Sequence, residues 1–292
     1  MRTRRSTTAT LALASVLLLA PAQGAQDPAP APVPTEAAEL PSARAVVDRF
    51  VEKAKLRATL DRHTSAHITA QFELVGMGIE GELKLYAAKP DRLYTELSLG
   101  PVGEVRQGHA DGVAWRIHPM LGTGLLEGME QVQFLQQADW DNLLKASERF
   151  ESMETVARET FGGLDCHVVE FVTRTPKGAD AKATVKLRTH REYYSVETGL
   201  LVGVVATAAS PMGETKTVSR ISDYKEFGGS LTATKTTVEA AGQKYEIRFT
   251  GVEYDKVDPK VFDLPKAIQV LVEAQRETPA PEPEPEGGGA VR

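Results

Sequence analysis

Cysteine is nearly absent from this chain: Cys166 is the only one among 292 residues, so no internal disulfide can form. It lies in the apolar run Cys-His-Val-Val-Glu-Phe-Val, which predicts a buried, unreactive thiol rather than a nucleophile. The fold must therefore be held together by its apolar core. A body of roughly 235 residues is long enough to bury one.

Long apolar runs are also missing after the first twenty residues, so no later segment is predicted to cross a membrane. The first segment has the pattern of a secretion signal: a stretch with three arginines, then the apolar run 11–20, then Ala20-Pro21-Ala22 as a small-x-small cleavage site. We predict a signal peptide at 1–22, cleaved near Ala22. Cleavage after Gly24 and an uncleaved anchor are the alternatives.

A large excess of acidic or basic residues is absent as well. The formal net charge is −6, and the acidic excess lies mostly in the segments that flank the body, at 23–40 and from 277 onward. The body is close to neutral once these are set aside. This distribution gives no basic surface for nucleic acid, so a nucleic-acid-binding protein is not predicted.

Catalytic motifs are missing too: GxSxG, the Walker loop, GxGxxG and HExxH do not occur. His63 and His67 have the spacing of a helical metal pair but straddle the predicted end of a helix. Asp139 and Asp141 flank Trp140 in a predicted helix, about 200° apart around its axis, which makes them a poor acid/base pair. We predict no cofactor, no metal and no catalysis; an enzyme whose groups meet only in the fold remains an open alternative.

The dominant pattern is strict alternation of apolar and polar residues. Ile68, Ala70, Phe72 and Leu74 alternate with polar residues, and similar segments recur about ten times, joined by turns such as Gly76-Met77-Gly78. A period of two places the apolar residues on one face of a strand. The pattern predicts a large antiparallel sheet with one apolar and one polar face.

Three segments have helical spacing instead. The first is predicted from Ser42, as N-cap, to about Leu60, and the last from about Lys266 to Ala274. The middle one, 125–150, places Leu125, Met129, Val132 and Leu135 on one stripe. Glycines at 122, 124 and 128 flank its start and are predicted to act as hinges.

The domain prediction follows from composition. We predict a signal peptide at 1–22, a Pro/Ala-rich extended linker at 23–41, one domain at 42–276 and a disordered acidic tail at 277–292.

Three motifs are similar to those of a known family. They are Tyr-x-x-x-Thr-Gly-Leu-Leu at 194–201, Asp-Tyr-x-x-Phe-Gly-Gly at 223–229, and Asp-Pro-x-x-Phe-x-Leu-Pro at 258–265. With the secretion signal and the interposed helical segment, the chain resembles the LolA/LolB-like carriers of the bacterial envelope, whose relatives include the sensor RseB. The resemblance spans Ser42 to Leu271.

The resemblance implies an α+β, mostly β fold: a single curved antiparallel sheet of about ten to eleven strands, an unclosed half-barrel with helices over its concave face. It also implies a periplasmic, non-catalytic carrier of lipoprotein acyl chains or lipids, without cofactor. The alternative is an interaction or sensor module that regulates an envelope membrane protein. We expect the concave face to bear Phe72, Leu83, Leu97 and Trp115, and the helical segment to point Met129, Val132 and Leu135 inward. That these apolar residues are ordinary core is the other possibility.

Overall fold

The computed structural model describes residues 40–141, 144–145, 150–174, 188–210, 213–227 and 229–277. The predicted signal peptide, nearly all of the linker and nearly all of the acidic tail lie outside these residues. The described chain is mostly strand and contains four α-helices. No helix in this part of the chain has the length and apolar character needed to span a membrane.

Thirteen strands form one sheet. The strands, in chain order, are β1 Ser65–Leu74, β2 Ile79–Ala88, β3 Arg92–Ser98, β4 Glu104–Ala110, β5 Val113–His118, β6 Gly122–Leu125, β7 Phe150–Phe161, β8 Leu164–Thr173, β9 Thr189–Ser195, β10 Leu201–Ser210, β11 Gly213–Phe227, β12 Ser230–Ala240 and β13 Gln243–Tyr254. Their spatial order is β6-β5-β4-β3-β2-β1-β13-β12-β11-β10-β9-β8-β7, and β6 and β7 do not pair, so the sheet is not closed.

Neighbouring strands of the sheet pair antiparallel, for example β1 with β2 and β1 with β13. The predicted mostly β fold with a single unclosed antiparallel sheet is confirmed. The predicted strand number of ten to eleven was too low. One reason is that Gly122 and Gly124, interpreted as hinges, lie in β6, where Gly124 pairs with Arg116.

The four helices are α1 Ala43–Lys53, α2 Leu56–Arg62, α3 Gly128–Ala138 and α4 Lys266–Glu277, and short 3-10 helices occur at Gly100–Val102 and Pro259–Phe262. Ser42 caps α1 as predicted, accepting a hydrogen bond from the Ala45 N–H at 3.3 Å. The single helix predicted there is interrupted, because Lys55 adopts a left-handed conformation with φ of 55°. Asp258 caps the second 3-10 helix through the Lys260 N–H.

The helix predicted over 125–150 was too long at both ends. Leu125 belongs to β6 and Phe150 begins β7, and the described helix α3 covers Gly128–Ala138. Residues 142–143 and 146–149 of the predicted helix lie outside the described residues. Apolar residues in those strands extend the helical pattern by chance, and strand pairing decides their conformation.

We call the face of the sheet that carries the β1 residues Ala66, Ile68, Ala70, Phe72 and Leu74 the inner face, and the opposite one the outer face. Near α1 and α2, the inner face packs against these helices in the helix-side cluster, whose members include Val47, Phe50, Leu60, Ala66, Ile68, Leu85, Phe134, Ala138, Trp140, Phe171 and Tyr194. This cluster is a conventional core between helices and a sheet.

At the other end of β1, the inner face carries a second cluster, which we call the turn-side cluster. Its eleven members are Ala70, Phe72, Leu74, Leu83, Leu97, Leu99, Val105, Val238, Ala240, Tyr245 and Ile247. They come from six neighbouring strands, β4-β3-β2-β1-β13-β12, and from the residue after β3. Within the described residues, no helix contributes a member to it.

Cys166 belongs to a small third cluster with Val168 and Tyr193. Its side chain is fully buried, and burial raises the pKa of its thiol. The prediction of a buried thiol is therefore confirmed.

Candidate functional site

Phe72, Leu83 and Leu97 lie together on the inner face. Strand register aligns Ala70 with Leu83 and Leu83 with Leu97 across β1, β2 and β3. Phe72 also packs against Tyr245 of β13, with ring centroids 5.6 Å apart. The three predicted residues therefore share the turn-side cluster.

Trp115 does not lie with them, which corrects the prediction. Register aligns Trp115 with Gly108 and Gly108 with Tyr94, on the outer face. The indole covers Gly108 so closely that a Cβ there would lie 2.6 Å from its Cζ2 atom. The prediction failed because the usual pattern is inverted in β5: the apolar residues Val113, Trp115 and Ile117 point outward, and Ala114, Arg116 and His118 point inward.

Trp115 instead ends a row of rings on the outer face. His67 stacks on Tyr86 at 4.3 Å, Tyr86 lies 5.9 Å from Tyr94, and Tyr94 lies 6.0 Å from Trp115. Trp115 is only 2% exposed, at the edge of the sheet where α4 contacts β6. Because the outer face is partly covered at this edge, apolar side chains can be buried on the outer face as well as on the inner face.

Helix α3 is enclosed on several sides. Met129 and Val132, which were expected to point inward, are buried; Leu135 is only half-buried, and Phe134 is buried as well. Phe134 lies about 140° around the helix axis from Met129, so a single inward stripe does not describe this helix. No residue from Met129 to Ala138 is exposed.

Three polar side chains tie α3 to strands that are far apart in the sheet. Glu130 accepts a hydrogen bond from Arg116 of β5 at 2.5 Å. Gln133 donates to the carbonyl of Thr207 in β10 at 2.8 Å, and Gln136 donates to the hydroxyl of Thr173 in β8 at 2.6 Å. The helix therefore bridges both arms of the sheet. Sequence reasoning missed these contacts, although the spacing of Glu130, Gln133 and Gln136 by three residues is a signal for one polar side of a helix.

The inner face of β9 carries polar groups. The Tyr194 hydroxyl donates to the Glu192 carboxylate, and His190 Nε2 lies 3.4 Å from the other Glu192 oxygen. Burial raises the pKa of Tyr194 well above its ordinary value, and the Glu192 charge adds to this effect. The phenol thus stays protonated and keeps a buried carboxylate hydrogen-bonded. The sequence did not predict these residues either, because alternation alone does not distinguish a polar residue on the inner face from one on the outer face.

The turns at one end of the sheet expose apolar side chains. The turns after β1, β3 and β5 lie at the same end, because β1 to β5 are successive antiparallel strands. They carry Val75, Met77, Val102 and Met120, which are 39%, 59%, 45% and 66% exposed. We call these four residues the apolar rim. It continues the turn-side cluster, whose Leu74 and Leu99 lie next to these turns.

His63 and His67 do not form a pair. The His63 ring packs on Tyr254 at 3.9 Å, with its Nδ1 2.5 Å from Asp255, whereas His67 stacks on Tyr86. Among the described residues, no group of three or more His, Cys, Asp or Glu side chains is arranged to hold a metal ion.

The chain is similar in fold to several solved structures. No family model matches the chain, and no curated protein matches it. Among solved structures, the chain is similar to a DUF1329 family protein from Desulfovibrio piger, with 15% identity and a TM-score of 0.49, covering 76% of this chain and 97% of that one. It is also similar to a LolA superfamily protein from Nitrosomonas europaea, with 9% identity and a TM-score of 0.48, covering 77% and 99%.

The LolA superfamily, named among these structures, is the family that the sequence motifs resemble. At such identities and TM-scores, the likeness carries no argument about function.

Proposed function

We propose that this chain is a non-catalytic periplasmic carrier or binding protein for acyl chains of lipoproteins or lipids. The acyl chains lie on the inner face, between the turn-side cluster and α3. The observation that carries the proposal is the make-up of the turn-side cluster: eleven apolar residues on one face, with none from the helices that the structure describes. These residues are buried, so an acyl chain would reach them only when α3 moves. An apolar lining beside a helix held by polar contacts suits a flexible hydrocarbon ligand.

The contacts of α3 support the same proposal. Glu130, Gln133 and Gln136 hold the helix through one ion pair and two hydrogen bonds, each of which contributes about 0.5–3 kcal/mol. Breaking them to admit a ligand costs far less than unpacking the helix-side cluster. Phe134 and Ala138 stay packed in that cluster and provide a fixed side for the movement.

Lipid extraction tests the proposal. The protein, exported with its own leader and purified without detergent, is extracted and analysed by mass spectrometry, and its binding of a fluorescent fatty acid is titrated. We expect co-purifying acyl lipid at a substantial molar fraction and saturable binding. Absence of both would contradict the proposal.

A second candidate function is the interaction module that regulates an envelope membrane protein. The apolar rim favours it, because exposed apolar residues clustered at one end of a molecule mark contact surfaces. Met77→Ser and Met120→Ser, both at exposed positions, separate the two functions. Under the carrier proposal, the double variant retains fatty-acid binding. A stoichiometric membrane partner that is lost in this variant, and that binds the lipid-free protein equally well, would support the interaction module.

A further inference from the structure

We propose that Arg116 and His118 form a polar subsite that binds the ester carbonyl oxygens of an acyl lipid. The inference rests on the proposed function and deepens it, because it names the ligand class as ester-linked acyl lipids. It is carried by two buried N–H groups on the inner face that find no acceptor among the described residues.

The two residues share a face and lie close together. They are two positions apart on β5, so their Cα atoms lie about 7 Å apart and both side chains point inward. Register continues from Arg116 through Gln107 and Thr95 to Leu85, on the same face. The subsite therefore lies at the β5 end of the apolar inner face, separated by β4 from the strand that carries Leu97.

His118 presents one N–H group. Its side chain is 6% exposed, and its Nδ1 accepts hydrogen bonds from the N–H groups of Met120 and Leu121, at 3.0 and 3.2 Å. Burial, with a smaller contribution from the Arg116 charge, lowers the pKa of His118 and favours the neutral ring. Because Nδ1 is an acceptor, Nε2 carries the proton, and this buried N–H has no partner within the described chain.

Arg116 presents the second N–H group. Its side chain is 11% exposed, and one terminal nitrogen pairs with Glu130 at 2.5 Å. Its Nε is buried and has no acceptor in the described part of the protein. A buried donor without an acceptor is unfavourable, so an oxygen atom at this place would be bound.

The charges around the subsite determine which type of oxygen acceptor it binds. Glu130 balances Arg116, and His118 is neutral, so the subsite has no net charge. A carboxylate or phosphate would gain no net attraction from the Arg116–Glu130 pair to offset the loss of its hydration, whereas an ester carbonyl is an uncharged acceptor at the polar end of each acyl chain. The geometry therefore points to neutral ester groups rather than to an anionic head group.

The test compares two lipids that differ only at the carbonyl. Dioleoylglycerol and its dialkyl ether analogue, which lacks both carbonyl oxygens, compete for the full-length protein against a bound fluorescent fatty acid. We expect the wild type to prefer the ester by about tenfold. Arg116→Lys keeps the charge opposite Glu130 but removes Nε–H, and His118→Asn keeps an acceptor for the two backbone N–H groups but removes Nε2–H.

Each of these variants should reduce the preference to about threefold, the double variant should abolish it, and ether affinity should stay constant. Arg220→Lys is the matched control, since Arg220 pairs with Glu239 at 2.8 Å and is 45% exposed, and it should keep the tenfold preference. Equal binding of ester and ether by the wild type would overturn the subsite while leaving the carrier proposal in place. A variant that loses both lipids equally would also overturn it, and a wild type that binds neither lipid would contradict the proposed function itself.

Discussion

The two apolar clusters on the inner face are made of the same kinds of residue but differ in what they pack against. Among the described residues, the helix-side cluster combines strands with α1, α2 and α3, whereas the members of the turn-side cluster come from the sheet and its adjoining turn. Each contains a phenylalanine–tyrosine pair with ring centroids 5.6 Å apart, Phe50 with Tyr194 and Phe72 with Tyr245. Under the carrier proposal, the helix-side cluster is a fixed core and the turn-side cluster is the part of the inner face that contacts the ligand.

Truncation of the phenylalanine in each of these two pairs should change the free energy of unfolding by different amounts. Phe50→Ala should lower the free energy of unfolding by about 3–5 kcal/mol, because it opens a cavity in a fixed core. Phe72→Ala should cost at least about 1 kcal/mol less, because the turn-side cluster can rearrange. Urea denaturation of both variants, with and without oleate, measures this. Equal losses of unfolding free energy in the two variants, unaffected by oleate, would contradict the distinction between the clusters.

A second comparison uses two alanines on the same face of β1. Ala66 lies in the helix-side cluster and Ala70 in the turn-side cluster, and they are 0% and 1% exposed. Ala66→Phe should destabilise the protein by about 1–3 kcal/mol through overpacking. Ala70→Phe should be tolerated better but should weaken fatty-acid binding about tenfold or more, because the ring occupies ligand space. Equal destabilisation by Ala70→Phe and Ala66→Phe, with unchanged fatty-acid binding, would contradict this prediction.

A third prediction concerns the contact between α3 and β5. Glu130→Gln removes the charge opposite Arg116, which should weaken the attachment of α3 by about 1 kcal/mol and speed fatty-acid uptake about fivefold. Stopped-flow fluorescence measures the rate. Glu127→Gln, at an exposed position just before α3, is the control and should leave the rate unchanged. An unchanged rate in Glu130→Gln would show that this ion pair does not hold the helix over the site.

The smallest effect lies at the base of the helix-side cluster, where β13 ends. Partial burial disfavours the Asp255 carboxylate, but hydrogen bonds from His63, Thr64 and Ser65 outweigh it and lower the pKa of Asp255 to about 2. Because this pKa is below the ordinary value, the stabilisation is complete above about pH 4 and is lost as the pH falls toward 2. Asn tolerates the positive φ of 54° found at this position, so Asp255→Asn changes the charge without straining the backbone.

We expect Asp255→Asn to lower the Tm at pH 7 by about 2–4 °C, with the difference from wild type shrinking between pH 4 and pH 2. The side chain is 44% exposed, so solvent screening keeps the effect small. Asp48→Asn, at the exposed pair with Arg44, should change little at any pH. A difference for Asp255→Asn that is independent of pH would contradict the assignment.

The sequence predicted most of the fold and part of the candidate site. Alternation located Phe72, Leu83 and Leu97 correctly on one face, because β1, β2 and β3 follow the common rule of apolar residues inside. It misplaced Trp115, because in β5 the polar residues point inward and only the strand register reveals this. It also missed the attachment of α3, since the contacts of Gln133 and Gln136 join residues that are more than thirty positions apart in the chain.

Photo-crosslinking locates the bound acyl chain on the protein and so tests whether it lies on the turn-side cluster. A fatty acid with a diazirine near its methyl end is bound to the protein and irradiated, and the modified peptides are identified by mass spectrometry. We predict that modification concentrates in the turn-side cluster, at 70–74, 83–99 and 238–247, and on α3 around Met129 and Val132. Modification confined to the helix-side cluster or to the outer face, or none that competes with unlabelled oleate, would contradict the claim.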